Sequence, residues 1–276
     1  MTENIYPKRS LSQNFLIDEN IVKKIVNSAN IDSNDIVLEI GPGRGALTKI
    51  LYNLSNKLIL IEKDVELCEL LKENFHNAEI LNEDFLKSNR IRRCPKRIKV
   101  IGNLPYNVST QIIFKIFEEH TFVESAVFML QKEVADRIVS CCNDKNYSLL
   151  TVICSSFGNP FKLFNVSPSC FRPKPKVTST VVKFEIFDKY NIKNFSHFFL
   201  FVKSMFHVKR KKLINCLKKN PFINFSDEFT NELENRYGEN IRISEIPVEN
   251  IVDIYKNLFI PLQGNTAPLS NFQTEG

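Results

Sequence analysis

The chain has 276 residues, 43% of them hydrophobic, enough for a full core, and carries a formal net charge of +6. No apolar run approaches the roughly 20 residues needed to cross a bilayer, and MTENIYPKRS at the start lacks the apolar stretch of a secretory signal, so membrane insertion and export are set aside and a cytoplasmic protein is expected. Seven cysteines without a CxxC pair offer neither a disulfide framework nor zinc-ligand spacing, so they read as reduced, with no metal expected.

Along the chain, Asp18 to Ala29 places Ile21, Val22, Ile25, Val26 and Ala29 on one helical face, with Asp18 as N-cap. Strand IVLEI (Ile36–Ile40), a glycine-rich turn, a helix over Ala46–Asn53 and strand KLILIE (Lys57–Glu62) form a βαβ unit within about thirty residues. The alternation continues with helix Val65–Phe75, strands Glu79–Leu81 and Ile98–Ile101, helix Thr110–Glu119 and strand Ser125–Leu130. Helices Lys132–Ser140 and Ser148–Ser156 precede closing strands at Phe161–Val166 and Thr180–Phe187. This order predicts a mostly parallel sheet covered on both faces. Beyond Phe187 a linker, Asp188–Asn194, leads to helical periodicity at Phe195–Phe206, Lys211–Leu217, Asp227–Arg236 and Val248–Leu258. The chain is therefore divided into an α/β domain over 1–187 and a small all-α domain over 188–276.

Charge is segregated. From Lys145 to Lys219 fifteen Lys or Arg face only Glu185 and Asp188, so the remainder is net acidic. A solvated surface is the plain reading of one basic run. Here two runs, Phe171-Arg172-Pro173-Lys174-Pro175-Lys176 and Lys209-Arg210-Lys211-Lys212, lie among aromatics, which favours a polyanionic partner.

The turn Gly41-Pro42-Gly43-Arg44-Gly45-Ala46 joins a strand to a helix, and Glu62 follows about twenty residues on. Both suit a nicotinamide dinucleotide. Three features favour S-adenosylmethionine instead. Glu39 suits a ligand bearing an ammonium and a sulfonium, Pro42 removes a backbone donor that a pyrophosphate would use, and Asp84 with Phe85 after the third strand could receive an adenine. Asp84 could equally be a helix cap.

The tetrad Asn103-Leu104-Pro105-Tyr106 ends an apolar strand with an amide, a proline that fixes the backbone and an aromatic ring. The Asn103 oxygen and the Leu104 carbonyl can accept hydrogen bonds from an exocyclic amine, and Tyr106 can stack on its ring. A core place is the usual role for one of 23 phenylalanines, but Phe171 stands before the basic run, which argues for an exposed second face of that clamp.

PKRSLSQNFL from Pro7, VLEIGPGRGALT from Val37, IEKD from Ile61, NEDFL from Asn82, NLPY, MLQKEVADRI from Met129 and PSCFRPKPKVTS from Pro168 occur together over nearly the whole chain. This set resembles the ribosomal RNA adenine N6 dimethyltransferase family. The resemblance implies a Rossmann-like class I S-adenosylmethionine-dependent methyltransferase domain, followed by a helical domain that contacts RNA or the ribosome. It further implies that Asn14, Leu16, Gly41, Glu62, Asp84 and Asn103 line the cofactor pocket, and that Tyr106 and Phe171 hold a flipped adenine. Arg172, Lys174, Lys176, Lys209, Arg210, Lys211 and Lys212 are the expected RNA contacts. The expected substrate is 16S rRNA in the immature small subunit, at two adjacent adenosines of its 3′-terminal hairpin, met by a monomer. Ser12, Ser148 and Lys209 depart from the family's usual residues. Two rivals stay open: a large-subunit rRNA dimethyltransferase of the macrolide-resistance type, and a non-catalytic assembly or transcription factor on the same fold.

Overall fold

In the computed structural model, which describes residues 13–208, 211–218 and 226–259, the first element is a two-residue strand, β1 (Phe15–Leu16). Helix α1 (Glu19–Ser28) follows, its first turn capped by Asp18, whose carboxylate accepts from the Asn20 and Ile21 amides. Strand β2 (Ile36–Ile40), helix α2 (Thr48–Leu54), strand β3 (Lys57–Glu62), helix α3 (Val65–Asn74) and strand β4 (Glu79–Asn82) build the first half of the sheet. Strand β5 (Ile98–Asn103), helix α4 (Ser109–Glu118), strand β6 (Val123–Gln131), helices α5 (Lys132–Ile138) and α6 (Leu149–Ser156), strand β7 (Gly158–Val166), strand β8 (Phe171–Arg172) and strand β9 (Ser179–Ile186) complete the α/β part.

The seven-stranded sheet runs β4-β3-β2-β5-β6-β9-β7, parallel from β4 to β6 and antiparallel at β9 and β7. Every residue of β2 is buried, as befits a central parallel strand covered on both faces. Period-two alternation divides its side chains: Leu38 and Ile40 join a core cluster on one face, Val37 one on the other. Chain order reverses between β2 and β5, and in open α/β sheets ligands bind beyond the strand ends at such a switch. The two strands approach closely there: a Cβ added to Gly102 would stand 2.7 Å from the Ile40 carbonyl oxygen.

After Ile186 the described chain is helical: α7 (Phe195–His207), α8 (Leu213–Lys218), α9 (Asp227–Tyr237) and α10 (Val248–Phe259). These helices share a core with the sheet. Phe198, Val202, Leu217, Ile251 and Val252 belong to the same buried cluster as Leu38, Val100 and Phe128. Phe157 at the end of α6 meets Phe195 and Phe198 with ring centroids 5.1 and 6.0 Å apart, and the buried Tyr147 hydroxyl donates to the Ile246 carbonyl at 2.9 Å. So short a helical segment buries too little surface among its own helices and uses the sheet's cover to do so. No helix among the described residues is long and apolar enough to cross a membrane.

Candidate active site

A cavity of about 730 Å³ opens beyond the carboxyl ends of β2, β3 and β5, at the switch point. Asn14, Leu16, Gly41, Glu62, Asp84 and Asn103 all line it, and so do Leu104, Pro105, Tyr106 and Arg172. Ten of the expected site residues, scattered over 159 positions of sequence, thus meet around one space.

The floor is the glycine loop. Gly41, Gly43 and Gly45 have φ of +65°, +58° and +80°, a left-handed backbone that residues with a Cβ resist. At Gly43 an added Cβ would also press on the Phe15 ring at 3.2 Å, and at Gly45 on Phe75 at 3.0 Å. The left-handed Gly45 delays the helix, so α2 starts at Thr48 rather than at Ala46.

Beneath the loop, Glu39 is 1% exposed and accepts a 2.7 Å bond from the Thr48 hydroxyl. Burial, reinforced by the nearby Glu62 charge, pushes its pKa up to about 8. Glu62, at the end of β3, is also buried. Its Oε2 accepts from the Gly43 amide at 3.0 Å and its Oε1 from the Asp64 amide at 2.9 Å. Burial raises its pKa, and the two backbone bonds only partly oppose this. Asp84 is both cap and cavity wall: Oδ1 accepts from the Leu86 amide at 3.0 Å, starting a 3-10 turn at Phe85–Lys87, while Oδ2 pairs with Lys63 at 2.9 Å. Partial burial works to raise its pKa, yet these two bonds prevail and hold it below the usual carboxylate range.

Facing the acids is the strand-end tetrad. Asn103 closes β5 and its Nδ2 donates to the Asn14 carbonyl at 3.0 Å, which commits the amino end of the amide and leaves Oδ1 as its accepting end. The Leu104 amide donates to the Met129 carbonyl at 3.2 Å, tying the turn to β6. Tyr106 is half-buried rather than fully exposed, and its hydroxyl shares a 2.6 Å bond with Ser179. Burial raises the phenol pKa, so the ring is neutral under ordinary conditions.

One expectation is corrected. Phe171 is 3% exposed and lies outside the cavity wall, packed in the core cluster with Leu16, Val22 and Met129. The cause is an antiparallel ribbon in which β8 pairs with β1, Phe171 opposite Leu16 and Arg172 opposite Phe15. Alternation sends Phe171 inward and leaves Arg172 exposed at the cavity mouth. Phe15 lines the cavity together with Phe85 and Tyr106, and its ring centroid lies 4.9 Å from the Arg44 guanidinium carbon. Sequence reasoning assigned no role to Phe15, Arg44, Lys63 or Ser179; the only pointer was that each falls within one of the motif stretches, SQNFL, GPGRGA, IEKD and KVTS.

Lys174 and Lys176 are exposed on the loop between β8 and β9, and Lys211 and Lys212 are exposed before α8. Lys209 and Arg210 lie outside the described residues. Among the described residues no group of three or more His, Cys, Asp or Glu side chains could hold a metal ion.

Known proteins resemble this chain over most of its length. A family model described as ribosomal RNA adenine dimethylase matches residues 6–259. The chain is 45% identical over 213 residues to a ribosomal RNA small subunit methyltransferase A of Mycoplasma mobile, covering 76% of this chain and 83% of the relative. It is 39% identical over 257 residues to the protein of that name from Alkaliphilus oremlandii, covering 87% and 89%. Among solved structures, a dimethyladenosine transferase from Plasmodium falciparum superposes with a TM-score of 0.75 at 30% identity, covering 88% of this chain and 97% of that one. The 23S rRNA methyltransferase ErmE superposes at 0.68 and 22% identity over 89% and 99%, a likeness of fold.

Proposed function

The chain belongs to the ribosomal RNA adenine dimethylase family, and from that premise we propose that it methylates N6 of two adjacent adenosines in the 3′-terminal hairpin of 16S rRNA, using S-adenosylmethionine. It is an rRNA adenine dimethyltransferase with a class I methyltransferase fold. The small-subunit substrate is favoured by 39 to 45% identity to small-subunit methyltransferases against 22% to the 23S enzyme. The immature subunit is its substrate, met in the cytoplasm by a monomer.

The residues present fit the cofactor. Glu62 is anchored by two backbone amides and suits a ribose diol, Glu39, protonated in the free protein, is the buried carboxyl that a cationic ligand would draw into its ionised form, and Asp84 can accept from an adenine amine. When bound, S-adenosylmethionine supplies an electrophilic methyl on a sulfonium. Asn103 carries the reading: with its amino end held by Asn14, its oxygen is the end that accepts from the N6 amine. Together with the Leu104 carbonyl it draws the nitrogen lone pair out of conjugation with the purine. Those fixed dipoles then stabilise the positive charge that the nitrogen gains, until its surplus proton, now strongly acidic, is released to water. Tyr106 stacks on the extruded base, a contact worth about 1 to 3 kcal/mol. Its neutral phenol, already bonded to Ser179, takes no part in proton transfer. Arg172 at the mouth, Lys174 and Lys176 on the exposed loop that follows it, and Lys211 and Lys212 before α8 hold phosphates.

The test is acceptor choice. Purified protein and methyl-labelled cofactor are incubated with unmodified small subunits and, separately, with large subunits. Label in small-subunit RNA supports the reading, and label confined to large-subunit RNA overturns it.

A further inference from the structure

The Tyr106–Ser179 pair is absorbed by none of the roles above. Tyr106 sits in the turn between β5 and α4, where a large side chain would ordinarily retain rotamer freedom that binding must remove. Its backbone is held on both sides, since the Val108 amide donates to the Pro105 carbonyl at 3.2 Å and the Ser109 hydroxyl to the Tyr106 carbonyl at 3.3 Å. Among the described residues it is the Ser179 hydroxyl that fixes the far end of the ring, at 2.6 Å from the phenol oxygen.

Ser179 is well placed as an anchor. It is 0% exposed and opens β9, paired with Gln131 of β6 on one side and Val166 of β7 on the other. A residue clamped between two strands moves with the sheet. It also ends the segment that carries Arg172, Lys174 and Lys176, so the basic loop leads directly into the residue that holds the aromatic platform.

Resting on the proposed base-stacking role of Tyr106, the geometry points to Ser179 as a positioning residue that locks the Tyr106 ring in its base-receiving orientation before RNA arrives. The hydroxyl pair is structural to the platform and touches no reacting atom. Its value lies in the orientation entropy already removed from the free protein.

The test uses Ser179→Ala, which removes the bond from the strand, and Tyr106→Phe, which removes it from the ring while keeping a stacking face. In full-length protein labelled with 3-fluorotyrosine, the Tyr106 resonance is identified by its loss in Tyr106→Phe, and its position and line width are read in Ser179→Ala. Methyl transfer to unmodified small subunits and calorimetric binding of S-adenosylhomocysteine are measured in parallel. Ser179→Ala is expected to shift and narrow the Tyr106 fluorine line. It should lower kcat/KM for RNA roughly 3- to 10-fold, the weight of one neutral hydrogen bond, and leave cofactor affinity unchanged. Tyr106→Phe should give the same loss, and the double variant no more than either single one. An unmoved resonance, or losses that multiply in the double variant, overturns the positioning role. Should the wild type methylate no RNA, the function reading fails, and the fluorine line still decides the pairing.

Discussion

Glu62→Gln isolates the carboxylate on which the cofactor site is built. In the wild type each oxygen accepts one backbone amide, Gly43 at 3.0 Å and Asp64 at 2.9 Å. Glutamine keeps the shape but replaces one acceptor with an NH2 donor, so one of the two amides faces a donor. A hydrogen bond to a charged group is worth about 1.5 to 3 kcal/mol. Burial already disfavours the charged form of Glu62, so removing the charge returns part of that loss and the lower end of the range applies. A loss of about 1.5 to 2 kcal/mol corresponds to roughly 10- to 30-fold weaker ligand binding. The assay is calorimetric titration with S-adenosylhomocysteine, with thermal unfolding of both ligand-free proteins as a control for folding. A variant that folds normally and binds within about threefold of wild type would refute the claim that Glu62 shapes the ligand site.

Asn103→Ala should lower single-turnover methyl transfer by about 10²- to 10³-fold, the range for losing one preoriented transition-state dipole. Cofactor affinity should fall no more than about fivefold, because only the Asn14 tether is lost; equal losses would assign the residue to binding alone. Gly102→Ala forces a Cβ to within 2.7 Å of a backbone oxygen, so β2 and β5 must separate, which costs about 1 to 3 kcal/mol. Denaturant unfolding measures this, and an unchanged midpoint would contradict the close approach. Glu39 gives a pH signature. Its pKa rises from an ordinary 4.5 to about 8 on folding, so the native state holds a proton that the unfolded chain has released between those values. The stability it contributes is full below about pH 4.5 and is lost as pH rises through about 8. Subtracting Glu39→Gln unfolding curves from wild type should reveal that decline, whereas a flat difference would mean that Glu39 is ionised throughout.

How much of this was legible depended on the kind of signal. Ile36–Ile40 and Lys57–Glu62 were read to the residue, because a fully buried parallel strand is a short apolar run with sharp polar ends. Asp18 was legible as a cap for a similarly local reason. The β1–β8 ribbon was not, since two-residue strands have no periodicity and their partners lie over 150 positions apart. That one missed pairing misplaced Phe171 as exposed and hid Phe15 as one of the aromatic rings of the cavity wall. Resemblance located Asn103, Glu62 and Asp84, but the tethers that orient them, Asn14, Gly43 and Lys63, are contacts between distant segments. The helical segment was recognised by its periodicity. Its sharing of the sheet's core was not, because an amphipathic face does not say what will cover it.

The most direct measurement is nucleoside mass spectrometry of unmodified small subunits after incubation with the protein and deuteromethyl-labelled cofactor, beside the same reaction with Asn103→Ala. Adenosine carrying two labelled methyl groups on N6 is expected with the wild type, and almost none with the variant. Label on a ring carbon, a ribose or another base, or equal N6 labelling by the variant, would contradict that expectation.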